Sequence, residues 1–117
     1  AGEKGFINTA AEKIRQKIEN GNFFASNGRI LQTLNILAGD FKKLTDLKYV
    51  LPDIDESEML RSIDYLYEGG YIKLRNTESR KAMALSDVKS YKELSAKLTA
   101  DGVRILVGAK ADECIEL

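Results

Sequence analysis

Apolar residues return along the chain in two rhythms, every third or fourth position as far as Tyr67 and every second position around Tyr71 and Leu94. The first rhythm predicts helices, because side chains three and four apart share a helical face; the second predicts strands, whose side chains alternate. At the N-terminal end Ile7, Ala11, Ile14 and Ile18 make a narrow stripe. Thr9 with Glu12 three residues on has the form of a capping box, so a helix is expected to about Glu19 and a stop at Asn20-Gly21. Either the rest of the chain or a second copy must cover such a stripe, and Phe23 and Phe24 could anchor either arrangement.

The next helix is expected from Ser26 or Asn27, with Ile30, Leu31, Leu34, Leu37 and Ala38 on one face and Gly39-Asp40 as its end. Leu44, Leu47, Tyr49, Val50 and Leu51 predict a short second helix, closed by Pro52, which disfavours helical backbone at the residue before it. Asp53 or Asp55 can cap a third helix that buries Met59, Leu60, Ile63, Leu66 and Tyr67. Its opposite face presents Ser57, Glu58, Arg61, Asp64, Tyr65 and Glu68. Gly69-Gly70 then lets the chain reverse into a strand over residues 71–75, paired antiparallel with Leu94, Ala96 and Leu98. Residues 76–93 form a long loop between the strands, and Thr99 or Asp101 starts a last helix through Val103, Leu106 and Val107 to Gly108. The expected class is α+β, mainly helical. It divides into an N-terminal helix and linker (1–26), a central domain (27–110) and a loose acidic tail (111–117).

Composition narrows the function classes. With 117 residues and 44% hydrophobic content, the chain suits one core. No apolar run approaches the roughly 18 to 20 residues that span a bilayer, and the first residues lack a secretory pattern. A soluble, cytoplasmic protein without a membrane partner is expected. Histidine is absent, which removes the commonest general base and zinc ligand, and the single cysteine, Cys114, allows no internal disulfide. The glycines form no phosphate-binding loop. Asp53, Asp55 and Ser57 imitate the start of a calcium loop, but Glu58 stands where that loop needs glycine, so helix capping explains them better. No catalytic residue, metal site or cofactor is assigned, and the expectation is a non-enzyme.

Net charge is zero, yet it is unevenly spread. Residues 53–70 hold one basic and six acidic side chains, whereas 71–99 hold seven basic and three acidic. The third helix is acidic and the hairpin region basic. Carboxylates on a helix oppose its entry into a groove between two rows of phosphates, while a cationic hairpin suits contact with a phosphate backbone. The alternative for the hairpin cations, Lys89 and Lys92 included, is that they only solvate an exposed loop and blunt a strand edge.

Three segments occur together in order: Ile30-Leu31-Gln32-Thr33-Leu34, Tyr65-Leu66-Tyr67-Glu68-Gly69-Gly70-Tyr71-Ile72, and Leu98-Thr99-Ala100-Asp101-Gly102 followed by Gly108. The chain resembles the winged helix-turn-helix superfamily in these, and more loosely the small winged-helix proteins of Mu-like phages and other mobile elements. The resemblance implies a winged helix-turn-helix domain with a β-hairpin wing and an extra N-terminal helix. It also implies a regulator that binds double-stranded DNA, often as a dimer. The expected DNA contacts are Lys42, Lys43, Ser57, Arg61, Tyr65, Lys73, Arg75, Arg80 and Lys81, and the expected dimer interface is Ile7, Ala11, Ile14 and Ile18. The acidic third helix departs from a DNA-reading member. A second reading is therefore a protein-interaction or assembly module in which that helix meets a basic protein partner. A third places a small-ligand pocket beneath the wing, lined by Tyr49, Tyr67 and Tyr71.

Overall fold

The computed structural model describes residues 2–83, 85 and 90–117, with the side chains of residues 2–4 and 6 left out of the description. Its elements run α1 (Gly2–Leu37), β1 (Lys42–Lys43), α2 (Leu44–Val50), α3 (Glu56–Glu68), β2 (Ile72–Asn76), β3 (Leu94–Leu98) and α4 (Ala100–Leu106). The class is α+β and mainly helical, as the hydrophobic pattern predicts.

The N-terminal part differs from the sequence reading. One helix of 36 residues replaces the expected two, and Asn20-Gly21 does not interrupt it. A glycine inside a helix costs only about 1 kcal/mol against alanine. It ends a helix where it takes a left-handed conformation, as Gly39 does at φ 90, and Gly21 does not. Beyond Gly21 the helix is held by Phe23, whose ring lies edge-on to Tyr65 of α3 at 5.5 Å. Thr9 is therefore no cap: inside the helix its hydroxyl donates to the Gly5 carbonyl at 2.9 Å.

Further along, the local signals act as read. Asp55, not Asp53, caps α3 by accepting from the Glu58 N–H at 2.8 Å. Asp53 instead takes a two-pronged contact from Arg29 at 2.7 and 2.8 Å. Gly70, at φ 79, turns the chain from α3 into β2. Thr99 caps α4 through the Gly102 N–H. In α4 the buried residues are Gly102 and Ile105, while Val103 and Val107 face outward, so the inward face is turned from the one expected. A side chain at Gly102 would strike the Tyr71 carbonyl at 2.3 Å, which is why a glycine lets α4 lie against the strand entry.

The sheet has the order β1-β3-β2 and is antiparallel throughout. In β2 and β3, Ile72 pairs with Leu98, Leu74 with Ala96 and Asn76 with Leu94, so one face is apolar. The helices cover that face: Ile30, Leu31 and Leu34 of α1, Leu44 and Leu47 of α2, and Met59, Ile63 and Leu66 of α3 are all buried. Strand β1 was not foreseen; Lys42 and Lys43 lie on it, ahead of α2. Tyr49 and Val50 of α2 are exposed, contrary to their reading as apolar-face positions.

The tail is not loose. The Glu116 N–H donates to the Phe24 carbonyl at 3.0 Å, Asn27 Nδ2 donates to the Cys114 carbonyl at 2.8 Å, and Ile115 enters the core. Gly28 permits this approach, since a Cβ there would lie 1.7 Å from the Glu116 carbonyl oxygen. Acidic composition suggested a solvated segment, but the buried isoleucine and two backbone-directed hydrogen bonds outweigh it.

Candidate functional site

Strand alternation sorts the basic residues into a usable surface. With Ile72, Leu74, Ala96 and Leu98 turned to the helices, Lys73, Arg75, Ser95, Lys97 and Lys43 belong to the other face. Lys73 stands directly opposite Lys97, and Lys43 and Arg75 flank Ser95 from either side. The three strands hold five cations and no acid. Like charges in a directly opposed pair are unfavourable unless an anion or solvent lies over them.

Arg75 is the ordered centre of this face. Its guanidinium lies 4.0 Å from the centre of the Phe41 ring and 3.6 Å from the Asp40 carboxylate. Its Nε is buried without a partner. Asp40 is drawn below the usual carboxylate range, first by the Phe41 N–H and then by the nearby charges of Arg75, Lys97 and Arg80. Those three cations therefore share one field. Arg80 sits at φ 59, held by its N–H donating to the Asn76 carbonyl at 2.9 Å. Beside it, Phe41, Tyr67, Lys73, Arg75, Arg80 and Ala82 border a groove of about 430 Å³.

Of the residues singled out from sequence, Lys43, Lys73, Arg80 and Lys81 are exposed on this sheet and its loop, and Arg75 is half-buried among them. Lys42 lies on the other face of β1, half-buried beside Lys97 in a cleft at the end of α1. The three α3 positions are elsewhere. Ser57 and Arg61 line a cleft between α3 and α1, with the Arg61 guanidinium 4.3 Å above the Phe23 ring. Tyr65 is engaged too: its hydroxyl donates to Asp112 at 2.7 and 2.8 Å. Arg61, which is exposed, and Tyr65, which is half-buried, thus also take part in the chain's own packing.

Lys97 was the residue that sequence reading left out. The signal was present, because the repeat Leu94, Ala96, Leu98 puts Ser95 and Lys97 together on the outward face. The tyrosine pocket does not form as expected. Tyr49 is 87% exposed, Tyr71 is buried with its hydroxyl on Asp112 at 2.6 Å, and only Tyr67 borders the groove by the sheet. Lys89 falls outside the described residues.

A second cluster joins the tail to α3 and β2. Asp112 accepts from the Tyr65 and Tyr71 hydroxyls and from the Cys114 N–H. Burial pushes the Asp112 carboxyl up, but these donors outweigh it and leave its pKa lowered. The same bond, aided by burial, pushes the Tyr71 hydroxyl up to about 12, and burial followed by Asp112 raises Tyr65 as well.

Among the described residues no group of His, Cys, Asp or Glu could hold a metal ion, and no helix is long and apolar enough to cross a membrane. Comparison with protein-family models, with curated proteins and with solved structures finds no match.

Proposed function

We propose that this chain is a small winged-helix protein that binds double-stranded DNA by its phosphate backbone, through the outer face of the sheet and the loop after β2. The order helix, strand, helix, helix, strand, strand, helix with sheet order β1-β3-β2 supports the fold reading. One observation carries the function: four of the five strand cations, Lys43, Lys73, Arg75 and Lys97, share the outer face, with no carboxylate on the three strands and Lys73 opposed to Lys97. A polyanion relieves that repulsion and gains from each exposed ammonium or guanidinium.

Lys43, Lys73, Lys97, Arg80 and Lys81 contact phosphates, and Arg75, braced by Phe41 and Asp40, holds the face in shape. Base reading by α3 has no part in this, since Arg61 and Tyr65 are occupied and Asp64 and Glu68 are exposed acids. The protein is a binding module with a sequence-tolerant grip, as befits a regulator or architectural protein of a phage or mobile element, and it performs no catalysis.

The test is anisotropy of a labelled random duplex at about 50 and about 200 mM salt, a range over which phosphate-driven binding collapses. Replacing Lys73, Arg80 and Lys97 with alanine should weaken binding equally for all sequences and lower the salt slope by roughly one for each phosphate no longer neutralised. Unchanged affinity would overturn the assignment of the sheet. No binding by the wild type at either salt would turn attention to the exposed acids of α3 and a basic protein partner.

A further inference from the structure

The isoleucine stripe of α1 lies on the wrong side of its helix to be covered by its own chain. At about 100° per residue, Ile7, Ala11, Ile14 and Ile18 centre roughly 180° away from Phe23, Asn27, Ile30 and Leu34, which face α3 and the core. Ile7, Ile14 and Ile18 are accordingly 63%, 59% and 58% exposed. Among the described residues nothing of the chain's own body covers them, because that body packs on the opposite side of α1.

We infer that the stripe is the contact between two copies of this chain, with the two α1 helices antiparallel and Ile7 set against the partner's Ile18. This goes beyond the DNA-binding reading and does not depend on it. Three features favour a second copy in that register. Size is complementary: Ala11 meets the partner's Ile14 and Ile14 meets the partner's Ala11, so each layer sets a small side chain against a large one or matches two isoleucines. A parallel pair in register would place Ala11 on Ala11 and leave a gap between two isoleucine layers. Charge is compatible, because flanking Arg15 falls beside the partner's Asn8 and Lys17 beside the partner's Ala10, so no like charges are opposed. Space is open as well, since each body lies on the far side of its own helix and at opposite ends of the pair.

The overlap from residue 7 to 18 is about 18 Å long, which is short for an interface and sets the association in the weak, reversible class. The two-fold axis passes between Glu12 and Lys13, so the same patch serves both partners.

Sedimentation velocity across the micromolar range tests the contact. The wild type should pass from monomer to dimer with concentration, and Ile14→Glu, at an exposed position that leaves the helix and core intact by circular dichroism, should remain monomeric. Orientation is read from cross-linking in a Cys114→Ser background. Mixing Ala11→Cys and Ile14→Cys chains should give mainly the mixed disulfide. A wild type monomeric throughout, or an Ile14→Glu variant that dimerises equally, would overturn the interface. Predominance of the two self-linked products would overturn the antiparallel register.

Discussion

Asp112 ties three parts of the molecule at one carboxylate: Tyr65 from α3, Tyr71 from the entry to β2 and the backbone of the tail at Cys114. Hydrogen bonds to a charged group are worth about 1.5 to 3 kcal/mol each before the partners are rehydrated. Replacing Asp112 with alanine should therefore lower stability by about 1 to 3 kcal/mol, read as a shift in the urea midpoint with an unchanged slope. The pH dependence has a defined sign. The Asp112 carboxyl is lowered in the folded chain, so its contribution is full above the ordinary carboxylate range and is lost as pH falls through the lowered value. The raised tyrosines act at the other end. Their contribution is full below the ordinary tyrosine value near 10 and is lost as pH rises through about 12 for Tyr71. Absorbance of tyrosinate during an alkaline titration should show two late-titrating tyrosines in the wild type, and in Asp112→Ala Tyr71, raised first by Asp112, should move down further than Tyr65, raised first by burial.

At the scale of elements, two glycines in α1 have opposite meanings. Around Gly21 a Cβ would meet nothing within 4 Å, whereas at Gly28 it would collide with the Glu116 carbonyl. Gly21→Ala should stabilise the protein by up to about 1 kcal/mol, since alanine is the better helix former and nothing is displaced. Gly28→Ala should detach the tail despite the same intrinsic preference, and limited proteolysis within residues 111–117 would register it. An equal response of the two variants would show that the tail does not rest on Gly28. The same contrast explains why the helix boundary was misread. Asn-Gly carries the composition of a stop, but the stop requires a left-handed glycine, and packing of Phe23 against Tyr65 and under Arg61 holds the segment helical instead.

At the scale of the whole molecule, the chain is a compact body with one long helix leaving it, and the principal extents are 58 × 35 × 23 Å. The second half of α1 is buried by the core while most of the first half is exposed. Amide exchange should reflect that division. Residues 23–37 should exchange at the rate set by global unfolding, and residues 5–18 much faster in the monomeric Ile14→Glu variant, because a free helical segment of this length is marginal in water. Slow exchange of both halves in that variant would mean that the extension is held by something other than a second copy.

The sequence by itself determined the local features: a cap for α3 at Asp53 or Asp55 and for α4 at Thr99 or Asp101, which the structure places at Asp55 and Thr99, the left-handed turns at Gly39, Gly70 and Gly108, and the two-residue alternation that pairs β2 with β3. Each depends on a few neighbouring residues whose backbone needs are written in their chemistry. The sequence also located the excess of positive charge after Gly70 and, through the alternation in β3, the outward place of Lys97, but it could not say that Lys43 joins that face, because this depends on the pairing of β1 with β3. Tertiary structure alone decided what happened at distance. It ran α1 through Asn20-Gly21, drew the acidic tail onto Tyr65 and Tyr71, and laid the Arg61 guanidinium over the Phe23 ring. It also turned the isoleucine stripe away from the body. In each case a weak local preference, on the order of 1 kcal/mol, yielded to contacts between residues far apart in the chain, whose combined strength no local pattern records.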